Sequence, residues 1–309
     1  MADERNFRSS YYEKVGFRSV EEKKSLEILL KEQPFDKAKL KQFCLRFTVP
    51  AIYRNFLWKI LLDVTPIYTG SNDFVASQRR DEFHDLRKAL RVTKIVDENS
   101  KPHQTLLIMW LLRTRRAKLD INAQLESSLF RAMSRMAESL WHIMEGDHEY
   151  EKIIDIYWLL CGFLDHVDKF YNDVGRLIDC TSALLEKEDS CLYKHLLKCE
   201  VLNNIPFDQW FCSCFAETIC DGSLPKIWDK IAVGAYKILA FVAAVVFITL
   251  RRFLLNCDST DCVLDTISHI NEETSEMIVN KAIELWQQSG SALVTMSPNT
   301  NIINSTSNA

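Results

Sequence analysis

Glycine and proline are scarce, with 8 and 7 among 309 residues. So few turn formers argue against a β protein built from many tight hairpins, and for helices. Strong net charge is missing too. The formal value is −4, which leaves no electrostatic footprint for nucleic acid. No apolar run has the length of a membrane span. The stretch from Ile238 to Leu250, almost without polar residues, would cover only about 20 Å as a helix, against a hydrocarbon core of roughly 30 Å. No signal peptide is expected, because Arg, Glu and Lys interrupt the first apolar residues. The ten cysteines are then expected as free thiols in a reducing compartment. Also missing are an internal repeat, a sustained period-two alternation, a Gly-rich phosphate loop, His-Glu-x-x-His and Gly-x-Ser-x-Gly. No cofactor is implied.

What is present is apolar periodicity. Close to half of the residues are hydrophobic, enough for a large core. Leu26, Leu29 and Leu30 mark a short amphipathic helix ending before Pro34. Leu40, Phe43, Cys44 and Phe47 follow at i, i+3, i+4, i+7. Pro50 opens a helix through Arg54, Trp58 and Leu61-Leu62, and Phe83, Leu86 and Leu90 lie on another. Leu106 to Leu112 is strongly apolar and runs into the basic stretch Arg113 to Lys118. Leu129, Ala132, Met133, Met136, Ala137, Leu140 and Trp141 make the cleanest stripe, with Gly146 as an expected C-cap. Further helices are expected over Ile153 to Leu164, Leu177 to Leu185 and Leu192 to Leu202. A helix starting at Pro206 carries Trp210, Phe211, Cys214, Phe215 and Ile219 to one side. Asp221-Gly222-Ser223 turns the chain into a short helix, Lys226 to Val233, that breaks at Gly234. Ile238 to Leu250 is apolar all round, so it needs helices packed on every side. Two amphipathic helices close the pattern, through Val263, Ile267 and Ile270, and through Ile278, Ala282, Leu285 and Trp286.

Two separated motifs share one resemblance. Arg54, Trp58 and Leu61-Leu62 come first. Trp210-Phe211, Phe215-Ala216, Ile227-Trp228-Asp229 and Gly234 come last, just before the apolar helix. In this order they resemble the opening and closing motifs of TBC domains, the fold of the GTPase-activating proteins for Rab GTPases. Tyr157-Trp158 is similar to an aromatic pair of that family. The resemblance implies an all-α fold of two helical lobes. The expected organisation is an amino-terminal arm over 1–34, with Phe7, Tyr11, Tyr12 and Val15 on one face or docked, a TBC domain over 35–289 and a disordered tail over 290–309. Arg54 is expected to pair with a carboxylate near its helix end while Trp58 packs in the core.

Catalysis in this family needs an arginine finger, worth roughly 10³ to 10⁵ in rate, and a glutamine supplied in trans. The family places the arginine in Ile-x-x-Asp-x-x-Arg and the glutamine in Tyr-x-Gln-Gly. Neither pattern is intact. Leu107-x-x-Trp110-x-x-Arg113-Thr114 keeps an arginine but replaces the orienting aspartate with tryptophan. Between Arg113 and Trp158 the one glutamine is Gln124, in a polar, loop-like context. Arg113 is therefore the single, weak catalytic candidate, and its setting in a basic run also reads as a solvated face.

The stretch from Arg5 to Lys31 is similar to a member of the family that departs from catalysis in this way, the third subunit of the tuberous sclerosis complex. That resemblance implies an adaptor rather than an enzyme. It would bind the coiled coil of hamartin, act with tuberin to support GTP hydrolysis on Rheb and so restrain the mTOR complex, and be cytoplasmic, recruited to the lysosome membrane or to vesicles. The partner-binding residues are not legible in the sequence. The competing expectation is a Rab GTPase-activating protein with an atypical finger at Arg113. A helical domain with an unrelated coiled-coil partner is a third. Cys191, His195 and Cys199, with Cys212, Cys214 and Cys220 following, lack the C-x₂₋₄-C hooks of structural zinc, so no metal is expected.

Overall fold

The computed structural model describes residues 20–97, 99–144 and 150–290. The expected arm residues Phe7, Tyr11, Tyr12 and Val15, the Gly146 cap and the tail from 291 onward lie outside them. Among the described residues the chain is helical, with no β-strand beyond an isolated bridge at Ala216 and Ile219.

Helix α1 (Val20–Lys31) and α2 (Lys37–Arg46) lead in. Asp36 caps α2 by accepting hydrogen bonds from the amides of Ala38 and Lys39. Helix α3 (Ala51–Leu61) follows Pro50, which sits at the N-cap. Then come α4 (Asn72–Val92), α5 (Pro102–Arg113), α6 (Ile121–Leu125), α7 (Ser128–Ile143) and α8 (Tyr150–Phe170). Helix α5 packs chiefly on α7, with α4 and α8 alongside. The second group is α9 (Val174–Glu188), α10 (Ser190–Lys198), α11 (Val201–Asn204), α12 (Phe207–Cys212), α13 (Leu224–Ile231), α14 (Ile238–Thr249), α15 (Arg251–Leu254), α16 (Thr260–Ser268) and α17 (Glu272–Gln288). Helix α12 touches both groups, through α7 and through α9.

The all-apolar segment is the centre of the second group. Every residue of α14 from Ile238 to Phe247 is buried, chiefly between α9 and α17. Each such Val, Leu, Ile or Phe contributes about 1.5–3 kcal/mol by leaving water. No helix among the described residues is long and apolar enough to cross a membrane.

The two distant motifs meet at one carboxylate. Asp229 on α13 is fully buried. It accepts from Arg54 Nε at 3.0 Å, Arg54 Nη2 at 3.3 Å and Trp58 Nε1 at 2.9 Å. Arg54 Nη2 also donates to the Val49 carbonyl at 2.7 Å. The carboxylate expected for Arg54 is thus supplied from 175 residues along the chain. Next to it, the buried Lys230 sends its Nζ to the carbonyls of Cys44 and Phe47 at the end of α2. Trp58 and Trp228 both pack against Phe163, with ring centroids 5.1 Å apart in each pair. Gly162 lets α8 come this close to α3: a Cβ there would meet Leu62 Cβ at 2.7 Å.

Four expected boundaries move. The helix at Pro206 stops at Cys212 instead of running to Ile219, and Pro206 is its N-cap rather than part of its first turn. Cys214, Phe215 and Glu217 have φ of 50°, 64° and 74°. The Phe215 amide reaches back to the Trp210 carbonyl, a Schellman-type closure with cysteine where glycine is usual. Trp228 Nε1 donates to the Cys214 carbonyl at 3.1 Å and holds that turn against the core. The expected single helix over Leu192 to Leu202 breaks at Glu200, whose φ is 55°. The helix expected over Lys226 to Val233 is Leu224–Ile231 instead, and the break at Gly234 is at a φ of 89° that glycine accommodates. Ile270 falls beyond α16.

Removing Asp229 leaves the Arg54 charge and the Trp58 N–H without their acceptor. Asp229→Ala is expected to cost about 3–5 kcal/mol, and Asp229→Asn less, because an amide oxygen still accepts from Trp58. Urea denaturation of the two variants measures this difference. A second expectation concerns acid. Burial on α8 lowers the pKa of His166 from 6.5 to about 4, and its Nδ1 lies 2.6 Å from the Tyr236 hydroxyl. The unfolded chain therefore binds a proton at higher pH than the fold does. Stability is full above about pH 6.5 and falls as pH drops toward about 4. In urea titrations between pH 7 and pH 4.5, His166→Asn is expected to flatten that fall by about 2–3 kcal/mol.

Candidate functional site

The candidate arginine stands at a helix end. Arg113 is the last residue of α5, and Thr114 is its C-cap. Arg115 takes a φ of 58°, and the Arg116 amide returns to the Leu111 carbonyl. The basic run is thus the closing turn of a helix, where cations complement the partial negative charge of the exposed carbonyls.

Two of its side chains, those of Arg113 and Arg116, are engaged. Arg113 Nε donates to Glu82 Oε1 at 2.9 Å, and its guanidinium carbon lies 4.9 Å from the centre of the Trp158 ring. Arg79 stands over the same indole at 4.5 Å, and Trp158 Nε1 donates to the Arg79 carbonyl at 3.2 Å. One tryptophan therefore carries two cations, each within cation–π range. Burial, together with the nearby Arg113 charge, lowers the Arg79 pKa from its usual value. Arg79 Nη2 donates to the Asp63 carbonyl at 2.6 Å. Arg116 forms an ion pair with Asp168 at 2.7 Å and lies over Trp110 at 4.9 Å. Arg113 and Arg116 lie on an exposed face, and each also has a carboxylate and an indole beside it. The Arg113 side chain is 34 % exposed, and its pair with Glu82 is a surface one, worth below about 1 kcal/mol.

Trp110, which stands where the family pattern has aspartate, is fully buried. It has no carboxylate to offer Arg113, and it supplies a ring for Arg116 instead. Gln124 departs from its expected loop setting. It is buried in α6, its Oε1 accepts from the Lys118 amide at 2.9 Å and its Nε2 donates to the Arg116 carbonyl at 2.8 Å. Both ends of the amide are spent on the backbone that follows the basic turn. Tyr157 beside Trp158 is fully buried and packs on Phe83.

The sequence reading missed Arg79 and Glu82. Their one signal is position. Both lie on the α4 stretch around the buried Phe83, but no spacing in a single chain announces which later arginine Glu82 will meet. For metals, the cysteine and histidine candidates do not converge. His195 Nε2 is within 3.1 Å of the Leu254 and Cys257 carbonyls, and no group of three His, Cys, Asp or Glu residues among the described ones is placed to hold an ion.

Comparison with known proteins now adds to this geometry. The Rab-GTPase-TBC domain family model matches residues 52–255. The chain belongs to the Rab-GTPase-TBC family. It is 35 % identical to the human TBC1 domain family member 7 over 288 residues, covering 92 % of this chain and 95 % of that one. With the Danio rerio protein of the same name the identity is 36 %, covering 93 % and 97 %. This similarity is that of a distant ortholog. Among solved structures, the crystal structure of the Ypt/Rab-GAP domain of Gyp1p matches with a TM-score of 0.56 at 16 % identity, covering 88 % of this chain and 99 % of that one. That likeness establishes the shared fold.

Gln124→Ala is expected to destabilise the chain by about 1–3 kcal/mol, because two backbone groups lose buried partners. Hydrogen exchange should speed up over residues 116–124 while α5 stays protected. Unchanged exchange there would show that the amide does not hold the turn.

Proposed function

We propose that this chain is a non-catalytic TBC-domain adaptor that binds the coiled coil of hamartin and, through the hamartin–tuberin assembly, supports GTP hydrolysis on Rheb and restrains mTOR signalling. The observation that carries the reading is the paired engagement of Arg113 and Gln124. A finger must be free to reach a phosphoryl group, and a water-positioning amide must be free to hold water. Here the guanidinium rests on Trp158 and Glu82, and the amide is consumed by the backbone of residues 116 and 118. Similarity to TBC1 domain family member 7 over nearly the whole chain supports the same assignment. Recruitment to the lysosome surface would then come through the assembly. An all-helical surface can accept coiled-coil helices by covering their apolar face.

A second reading is kept by one observation. Arg113 is held by a surface ion pair, weak enough for a docking GTPase to displace. It would then act as an atypical finger on a Rab.

A tagged pull-down from the source cells, quantified by mass spectrometry, is expected to recover hamartin and tuberin in near-stoichiometric amounts. Single-turnover hydrolysis on a panel of Rab GTPases is expected to show no stimulation by the wild-type chain and no change in Arg113→Ala. Stimulation that Arg113→Ala abolishes would replace the adaptor reading with the enzymatic one.

A further inference from the structure

A cavity of about 320 Å³ opens between α4, the connector before α5, α5 itself, α7 and α8. It lies toward the start of α5, whereas Arg113 ends that helix. The apolar part of its lining is made by Phe83, Leu106, Met109 and Trp141 among others. Two arginines of α4, Arg87 and Arg91, line the same space one helical turn apart. Neither side chain has a hydrogen bond or ion pair among the described residues, and the Arg91 charge stands against that of Arg87. Burial and the Arg91 charge both work against the charged form of Arg87. The acid that shares the lining, Asp97, is occupied within its own connector, where it accepts from the Asn99 amide and from Ser100 Oγ.

We propose that this cavity binds a small apolar carboxylate, with the alkyl or aryl body inside and the anion at Arg87 and Arg91. The volume is at the lower end of the range for small-molecule sites, which are mostly apolar with a few convergent polar groups. Two guanidiniums with no carboxylate partner among the described residues, beside an apolar wall, recognise an anion that carries an apolar body. The planar fork of each guanidinium matches a carboxylate in two-point contact. A free inorganic anion leaves the apolar interior unused, and a neutral chain leaves the two charges unanswered. The site is independent of Arg113 and of the adaptor reading.

The test uses the full chain with its methionine methyl groups labelled for NMR and decanoate as the probe. Decanoate is expected to shift the Met109 methyl resonance saturably. Decanol, which has the same chain without the charge, is expected to bind about tenfold more weakly, as is decanoate to Arg87→Ala/Arg91→Ala. Thr105→Phe, which fills the cavity from its lining, is expected to abolish the shift while the melting temperature and helical signal stay near those of the wild type. Three results would overturn the proposal. Decanol could bind as tightly as decanoate, or the double variant could bind decanoate unchanged. The third concerns Glu145, Asp147 and Glu149, which follow Trp141 in the sequence. If their replacement by glutamine is required before decanoate binds, the arginines serve the chain's own acids.

Discussion

A carboxylate placed in a protein interior has to be answered by donors, and Asp229 is answered by a guanidinium and an indole from the other end of the chain. Net stability is not what such a group adds, since desolvation cancels most of the attraction between buried charges. What it adds is geometry. The three donors fix α13 against α3, and Lys230, the next residue, fixes the end of α2 through its carbonyls. Trp58, Phe163 and Trp228 then fill the space around this polar point with rings. The arginine–tryptophan and tryptophan–aspartate motifs are thus two halves of one interaction.

The candidate site depends on the same economy of partners. Trp158, delivered by α8, serves Arg79 and Arg113 together. Trp110 serves Arg116 from inside α5. In this chain aromatic rings hold the cations near the end of α5. An arginine lying along an indole packs on the ring, and Arg113 divides its charge between Trp158 and Glu82.

Much of the fold was legible. Helices with a clean apolar stripe, such as Leu40 to Cys44 on α2 and Ala132 to Leu140 on α7, fall where their periodicity puts them, and the all-apolar α14 is buried as its composition requires. Two of the four misplaced boundaries share one cause. Glycine announces a left-handed stop, and this chain builds such stops with Cys214 and Glu200, residues that carry no such signal. Their cost, of order 1–3 kcal/mol for each such residue, is met by tertiary contacts that a linear reading does not contain. The site was legible only in residue type. That Arg113 was a weak candidate followed from the missing aspartate, but Glu82, Arg79 and the backbone partners of Gln124 are facts of packing.

The separation between Trp58 and Asp229, 171 residues, also bears on how the chain is made. A ribosome adding about 5–20 residues per second needs roughly 10–35 s to cover that interval. Throughout it, α3 exists without the carboxylate that orients it and without the rings that cover Trp58. The surface of α3 therefore emerges unfinished, and its native packing waits until Asp229 of the 309 residues has been made. For a chain of this design, the vulnerable moment is synthesis itself, and a premature stop before α13 yields a fragment that cannot complete its own core.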